Sequence, residues 1–96
     1  MRYLEDRGFK ILDANFHSRF GEIDIVALKE EVIHFIEVKY SSRYEPIERI
    51  DRNKMRKILK TIELYLAKNA VERDFCVDAL VIRGDEIELI ENVSIM

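Results

Sequence analysis

The hydrophobic positions of this chain fall into short runs with two different periods, which predict where its helices and strands lie. Met1–Arg7 has the character of a short helix that ends at Gly8, a residue that takes the left-handed conformation after a helix without strain. Alternating or continuous apolar runs bounded by turn residues predict strands. There are five such runs, at Phe9–Asn15, Glu22–Leu28, Val32–Tyr40, Phe75–Ile82 and Glu86–Ile90. In the second of them, the alternation places Ile23 and Ile25 on the same face.

The longest periodic segment extends from Asp51 to about Lys68 and has the apolar spacing of a helix. Asp51 is a suitable N-cap, because its carboxylate can accept the backbone N–H groups of the first turn. A helix of this length can serve as the crossover between two strands, so the third and fourth strands are expected to run parallel. The order of elements predicts a single α/β domain over residues 1–96, with a mixed central sheet of about five strands flanked by helices.

The composition is that of a small globular domain. Of the 96 residues, 48% are apolar and 36% are charged, which argues against a disordered chain. No apolar run reaches the roughly 18 residues of a membrane span, and the N-terminus lacks the apolar stretch of a secretory signal. We therefore expect a cytoplasmic protein without a membrane partner. The single cysteine, Cys76, lies in an apolar strand and is expected to be a buried structural thiol.

Charged side chains interrupt two neighbouring strands, at Asp24 and at Glu37-Val38-Lys39. Buried charge is costly unless it is paired or bound to a metal, so these positions are the first place to look for function. A hairpin loop centred between residues 30 and 31 pairs residues whose numbers sum to 61. That register places Asp24 opposite Glu37 and Glu22 opposite Lys39. Because residues i and i+2 of a strand share a face, we expect all four side chains on one face.

Two opposed carboxylates repel each other, and a divalent cation between them removes that penalty. Oxygen ligands suit Mg²⁺ or Mn²⁺, and Asp24, Glu37 and the Val38 carbonyl are expected to hold one. Such a site supports phosphodiester hydrolysis, because the metal lowers the pKa of a bound water. Lys39 would orient that water or neutralise charge on the phosphate. The alternative is a surface ion pair between Glu22 and Lys39 beside an exposed acidic pair, since these residue types are common.

The segments Gly21-Glu22-Ile23-Asp24-Ile25-Val26-Ala27 and Phe35-Ile36-Glu37-Val38-Lys39 resemble the central motifs of the PD-(D/E)xK nuclease superfamily. More narrowly, most of the chain resembles the YraN-like family of predicted endonucleases. The matching features, in the family's order, are Tyr3-Leu4, Gly8-Phe9, Asn15-Phe16, the two central motifs, Arg43, Lys54 and Asp78.

This resemblance implies a restriction-endonuclease-like fold related to archaeal Holliday-junction resolvases. It also implies Asp24 and Glu37 as metal ligands, Lys39 as the catalytic lysine and Glu22 as an auxiliary residue. The first helix is shorter than in the family, and an acidic residue of the resolvase metal site has no counterpart before Tyr3. Resolvase-like relatives act as dimers, so a homodimer is expected here.

Basic residues concentrate between Arg43 and Lys60, although the net charge of the chain is −3. Seven basic and three acidic residues give this segment a charge of +4, which leaves −7 for the rest. Cations at the start of a helix oppose its dipole, and contact with phosphates is a reason to keep them there. A solvated helix face is the alternative. We expect nucleic acid, in particular DNA, to contact Arg43, Arg52, Lys54, Arg56, Lys57 and Lys60.

Two residues in apolar surroundings and one polar segment lead to further expectations. His34 is expected to be a hydrogen-bonded structural histidine. Asp78 is expected to pair with Lys54 or Arg43 as a structural anchor near the site. Residues 15–21 are expected to form a polar loop before the second strand.

Three classes of function remain open at the level of sequence. The first is a metal-dependent endonuclease that hydrolyses phosphodiester bonds in structured, including branched, DNA. The second is a non-catalytic nucleic-acid-binding or scaffold domain that keeps the nuclease fold. The third is a protein-interaction domain, for which removing the basic face of the long helix would leave nucleic-acid binding unchanged. The set of Asp24, Glu37 and Lys39 favours the enzyme, because binding alone needs no such trio, whereas the acidic overall charge favours the second class.

Overall fold

The computed structural model describes residues 1–42 and 51–93, and its elements follow the predicted order. They are α1 (Arg2–Glu5), β1 (Lys10–His17), β2 (Glu22–Lys29), β3 (Val32–Tyr40), α2 (Arg52–Lys68), β4 (Phe75–Arg83) and β5 (Glu86–Ile90). The bounds predicted for β3 and β5 are confirmed to the residue. The predicted N-cap of α2 is also confirmed, because the Asp51 carboxylate accepts the Lys54 N–H at 2.8 Å.

The N-terminal elements differ from the prediction in their lengths. α1 is a single turn, and the chain then passes through Gly8, whose φ of +89° is the left-handed conformation expected of glycine. β1 continues to His17, two residues past its predicted end. The predicted loop is therefore shorter, because Phe16 pairs with Ile23, and His17 with Glu22, across β1 and β2.

The five strands form one mixed sheet in the order β1-β2-β3-β4-β5. β3 and β4 are parallel, as predicted from the α2 crossover, and the other neighbouring strands are antiparallel. The predicted register of the β2–β3 hairpin is confirmed from Ile25↔Ile36 to Lys29↔Val32. The α/β fold class with a mixed five-stranded sheet is thus as predicted.

Each face of the sheet carries its own apolar core. On one face α2 packs on a cluster that includes Ile23, Val26, Phe35, Met55, Ile62 and Val77. The other face carries a smaller cluster that includes α1, with Leu4, Phe9, Ala27, Ile36 and Leu80 buried in it. β3 contributes to both clusters and lies at the centre of the sheet, which explains why its apolar residues do not alternate with polar ones.

The regular alternation of β2 fails at Asp24. Ile23 belongs to the α2 cluster, whereas Ile25 packs against the α1 cluster. The prediction that these two side chains share a face is therefore wrong. The cause is a local irregularity, because residues two apart in a regular strand point to the same side.

Arg43, assigned above to nucleic-acid binding, lies outside the described residues. Within them, no helix is both long and apolar enough to cross a lipid bilayer.

Candidate metal and nucleic-acid site

Asp24 lies where β2 leaves the side of β3. The pairing of β2 with β3 ends at Ile25, the residue that follows Asp24. The predicted direct pairs of Asp24 with Glu37 and of Glu22 with Lys39 are therefore not formed. Instead, Asp24 Oδ2 accepts the backbone N–H of Val38 at 2.8 Å. The carboxylate thus takes the place of the missing strand partner, and it lies beside the peptide that joins Glu37 to Val38.

Glu37 is held by an ion pair from the first turns of α2. Its Oε1 atom lies 2.9 Å from Lys54 Nζ. The Glu37 side chain is only 15% exposed, whereas Lys54 is 48% exposed. The Asp51 cap fixes the backbone of Lys54, from which the side chain extends to Glu37. Lys54 therefore belongs to the acidic site as well as to the basic helix face.

The two predicted carboxylate ligands line different cavities. Glu37 lines a cavity of about 450 Å³ beside the start of α2, together with Glu22 and Lys54. Asp24 lines another, of about 400 Å³, together with Val38 and Tyr40. The expectation that all four charged side chains share one face through regular pairing is therefore wrong. The irregularity at Asp24 is the physical reason, because it directs the Asp24 side chain into a different cavity from that of Glu22.

A cationic groove adjoins the Glu37 cavity. It has a volume of about 470 Å³ and is lined by Arg19, Phe20, Asn53, Arg56, Lys57 and Lys60. Three of these residues, Phe20, Asn53 and Lys57, also line the Glu37 cavity, so the two spaces are neighbours. The groove brings together three of the cations predicted to bind nucleic acid.

Phe20 forms the aromatic part of this groove, which the sequence reasoning missed. The Arg19 guanidinium carbon lies 4.9 Å from the centre of its ring, and Lys60 Nζ lies 5.1 Å from it. An aromatic ring with cations beside it is an arrangement that can stack a base and hold its phosphate. The pair Arg19-Phe20 next to the GEID motif was the available signal.

The remaining predicted residues lie close to this region. Lys39 is half-buried in β3 and stands opposite Val81 of β4 in the parallel register. Arg52 is the first residue of α2 and is exposed. Of the nucleic-acid residues predicted from sequence, those in the described ranges all fall within nine residues of α2, between Arg52 and Lys60.

The chemistry of the donors fits a hard divalent cation. Asp24 and Glu37 supply carboxylate oxygens and Val38 supplies a carbonyl, which are the ligand types of Mg²⁺ and Mn²⁺. The bond from Val38 uses one of the roughly four lone-pair sites of the Asp24 carboxylate. Lys54 already places a positive charge on Glu37. The position is therefore one at which the fold stabilises a cation.

A second cluster of ionisable groups lies on the other face of the sheet. Asp78 is fully buried and lies 2.5 Å from His34, measured from Oδ2 to Nδ1. Its other oxygen accepts the Asn92 backbone N–H at 2.9 Å. The prediction of a hydrogen-bonded structural His34 is confirmed. Of the two predicted partners of Asp78, Lys54 is wrong, because Lys54 lies on the α2 side and bonds Glu37, and Arg43 lies outside the described residues.

Cys76 completes this cluster. Its Sγ atom lies 3.1 Å from His34 Nδ1 and 3.3 Å from Asp78 Oδ1. The thiol is half-buried rather than fully buried. Burial, followed by the charge and hydrogen bond of Asp78 and the charge of Glu91, raises the pKa of Cys76 to about 12. The thiol is thus protonated at neutral pH.

Comparison with known proteins places this arrangement in a family. The model of the "Uncharacterised protein family UPF0102" matches residues 1–89. A UPF0102 protein of Campylobacter jejuni is 53% identical over 94 residues, which cover 97% of this chain and 84% of the relative. One of Wolinella succinogenes is 47% identical over 93 residues, covering 97% and 86%.

A third relative extends the match to another genus. A UPF0102 protein of Helicobacter pylori is 46% identical over 92 residues, which cover 96% of this chain and 81% of the relative. These matches confirm the YraN-like family predicted from the motifs. With the match extending over residues 1–89 and through both central motifs, the chain belongs to the UPF0102 family.

Proposed function

We propose that this protein is a metal-dependent endonuclease that uses Mg²⁺ or Mn²⁺ to hydrolyse phosphodiester bonds in structured, including branched, DNA. The observation that carries the proposal is the position of Glu37. This largely buried carboxylate is paired with Lys54, lines a cavity beside the cationic groove and is one peptide away from the Asp24 carboxylate. A purely structural ion pair would have no reason to combine these three features.

Each residue of the site has a defined task in this proposal. Asp24, Glu37 and the Val38 carbonyl hold the cation, since all three supply hard oxygen donors. When bound, the metal ion supplies Lewis acidity and a water of lowered pKa. Lys54 leaves Glu37 in that state, and its ammonium group then offsets phosphate charge in the same cavity. Lys39, as implied by the motif, orients the water or stabilises charge on the phosphate.

The cationic groove supplies the path for the DNA backbone. Arg56, Lys57 and Lys60 are exposed or line the groove, and contacts from such side chains fix the position of the nucleic acid without reading its sequence. Phe20 provides a ring on which an unpaired base can stack. Because Lys57 lines both the groove and the Glu37 cavity, a phosphate bound by Lys57 lies close to Glu37.

The direct test is cleavage of a DNA panel in the presence of Mn²⁺. The panel contains linear duplex, single strand, flap and four-way junction. Wild type is compared with Glu37→Ala and Lys39→Ala, all purified identically. Glu63→Ala, which changes an exposed carboxylate on the outer side of α2, is the matched control.

We expect wild type and the Glu63→Ala control to cut a branched substrate, and a chelator to abolish the activity. Glu37→Ala and Lys39→Ala should lose at least about 100-fold in rate, the scale of removing one group that stabilises transition-state charge. Equal cleavage by all four proteins would mean that the activity comes from elsewhere and would refute the proposal.

A non-catalytic nucleic-acid-binding domain is the second candidate. The observation in its favour is that Asp24 and Glu37 line separate cavities. A metal site shared by the two carboxylates would therefore have to assemble when the cation binds. It predicts salt-sensitive DNA binding that Glu37→Ala leaves unchanged, and no cleavage with Mn²⁺. Titrating labelled junction DNA with wild type and with Glu37→Ala, and measuring both binding and cleavage with Mn²⁺, separates the two candidates.

We also propose that the protein acts as a homodimer in the cytoplasm. Symmetric cutting of two strands needs two sites, and the sheet has two edge strands, β1 and β5, whose backbone groups a partner copy could satisfy. Light scattering coupled to size-exclusion chromatography tests this. A monomeric mass at all concentrations would contradict it.

A further inference from the structure

His34, Cys76 and Asp78 converge on one point of the sheet that the proposed nuclease site does not use. His34 and Cys76 are direct partners in the parallel register of β3 and β4. Asp78 follows Cys76 by two residues and therefore points to the same side. As a result, the nitrogen, sulfur and oxygen atoms of these three side chains all lie within 4.8 Å of one another.

We propose that His34 Nδ1, Cys76 Sγ and an Asp78 carboxylate oxygen form a binding site for Zn²⁺ or a cation of the same class. Zn²⁺ accepts imidazole, thiolate and carboxylate together, and three protein ligands leave its fourth position to water. Thiolate is a poor ligand for Mg²⁺ or Ca²⁺. This site is thus distinct in chemistry from the oxygen site at Asp24 and Glu37, and it does not depend on the proposed nuclease activity.

The observed separations are close to what a tetrahedral zinc ion requires. With Zn–S near 2.3 Å and Zn–N and Zn–O near 2.0 Å, adjacent ligand atoms lie about 3.3–3.6 Å apart. The distances from Cys76 Sγ to His34 Nδ1 and to Asp78 Oδ1 are 3.1 and 3.3 Å. The 2.5 Å distance from His34 Nδ1 is to the other carboxylate oxygen, Asp78 Oδ2. A rotation of the carboxylate must therefore bring one oxygen to both partners and widen the His34–Asp78 separation by about 1 Å.

The surroundings hold these ligands in place and leave a way in. The edge of the Phe9 ring packs against the His34 imidazole, with the ring centres 4.9 Å apart. The Asn92 N–H bonds Asp78, as outer hydrogen bonds commonly do for metal-binding carboxylates. Cys76 is only half-buried, so a cation can reach the cluster from its side.

The same three residue types also occur in thiol catalysis, and the geometry argues against that function here. A cysteine nucleophile needs its histidine base on one ring nitrogen and the orienting carboxylate on the other. Here both Cys76 Sγ and Asp78 Oδ2 face the same atom, His34 Nδ1. Convergence of three donor atoms on one point suits a shared cation better than a proton relay.

The test uses the full chain, freed of metal by a chelator, and Co²⁺ as an optical probe for the zinc site. Wild type should bind one equivalent of Co²⁺ with a thiolate-to-cobalt absorption band in the near ultraviolet, and Zn²⁺ should displace it. Cys76→Ser should lose the band, and its Zn²⁺ affinity should fall by at least about tenfold. Glu37→Ala, which changes the oxygen site, should keep both.

A check of the fold and a second variant guard against misreading a misfolded protein as a lost metal site. Circular dichroism checks the fold of Cys76→Ser, and His34→Gln provides a second substitution of a different ligand. In wild type, Zn²⁺ above its Kd should also raise the Tm, since a ligand that binds only the folded state stabilises it. Absence of a sulfur-to-cobalt band in wild type would overturn the proposal. Zn²⁺ binding that Cys76→Ser and His34→Gln retain in full would overturn it as well.

Discussion

At the scale of single residues, the contact between Lys54 and Glu37 decides the state of the site. The Glu37 side chain is only 15% exposed, and Lys54 supplies an oppositely charged partner for it from α2. In the proposed function, a divalent cation bound by Glu37 competes with the Lys54 ammonium group for the same carboxylate. The pair would then stabilise the site without metal and free the Lys54 cation for the substrate when metal is bound.

Removing the competing cation should strengthen metal binding. We expect Lys54→Gln to tighten Mn²⁺ binding by up to about fivefold, corresponding to at most about 1 kcal/mol for a half-exposed ion pair. The variant should lose a similar amount of folding stability in the absence of metal. Isothermal titration with Mn²⁺ and urea unfolding measure the two effects. Lys60→Gln, whose cation lies by Phe20 instead, is the matched control and should change neither quantity.

Cys76 gives a second prediction at this scale. Its pKa of about 12 means that, at pH 8, the thiolate fraction is about 10⁻⁴, against about a quarter for a thiol of ordinary pKa near 8.5. In metal-free protein, alkylation by iodoacetamide at pH 8 should therefore be at least about 100-fold slower than in the unfolded chain. The rate should still be rising with pH above 10. A plateau between pH 8 and 9 would show that the thiol titrates normally.

At the scale of elements, the N-terminus of α2 positions most of the proposed site. Asp51 caps the helix, Lys54 reaches Glu37, and Lys57 lines both cavities. The first turn of α2 contains no acidic residue, so its cations work against the helix dipole without compensation other than the cap. The cap is therefore more important here than in a helix whose first turn carries acids.

Loss of the cap should disturb both stability and the site. We expect Asp51→Ala to lower the free energy of unfolding by about 1 kcal/mol, within the usual range for removing an N-cap. Urea unfolding followed by circular dichroism measures it. Asp51→Asn keeps a good cap and should retain most of the stability. If both variants were as stable as wild type, the cap would not be what holds the start of α2.

Much of this element-level picture could be predicted from the sequence, and its failures have a common cause. The periodicity of α2 and the apolar run of β3 are local signals, and both elements were predicted with accurate bounds. The break at Asp24 could not be predicted, because alternation assumes a regular strand, and here a side chain replaces a backbone partner. The contact between His34 and Asp78 joins residues 44 positions apart and leaves no local pattern.

At the scale of the whole molecule, an acidic protein must present one cationic surface to bind DNA. The net charge of −3 repels a polyanion at long range, whereas the groove beside α2 attracts it at contact. Binding should accordingly be weak in high salt and strongly dependent on a few side chains. In the proposed function, the groove, and not the overall charge, therefore determines the affinity for DNA.

The salt dependence of binding reports this directly. Each phosphate contact contributes a slope of about −0.9 to a plot of log K against log salt for duplex DNA. Replacing Arg56, Lys57 and Lys60 by Gln should make the slope less negative by about 2–3. Fluorescence anisotropy with labelled DNA at several salt concentrations measures the slope. The control is Lys10→Gln on the edge strand β1, which should leave the slope unchanged.

The central claim is that Asp24 and Glu37 hold one divalent cation together, and a titration of Mn²⁺ followed by electron paramagnetic resonance tests it most directly. No more than one equivalent of Zn²⁺ per chain is first added, so that it fills the sulfur-containing site and leaves the oxygen site to Mn²⁺. The account predicts one Mn²⁺ bound per chain in wild type, with binding lost in Asp24→Asn and in Glu37→Gln and retained in Glu63→Gln. Mn²⁺ binding of equal strength in wild type and in both Asp24→Asn and Glu37→Gln would contradict it.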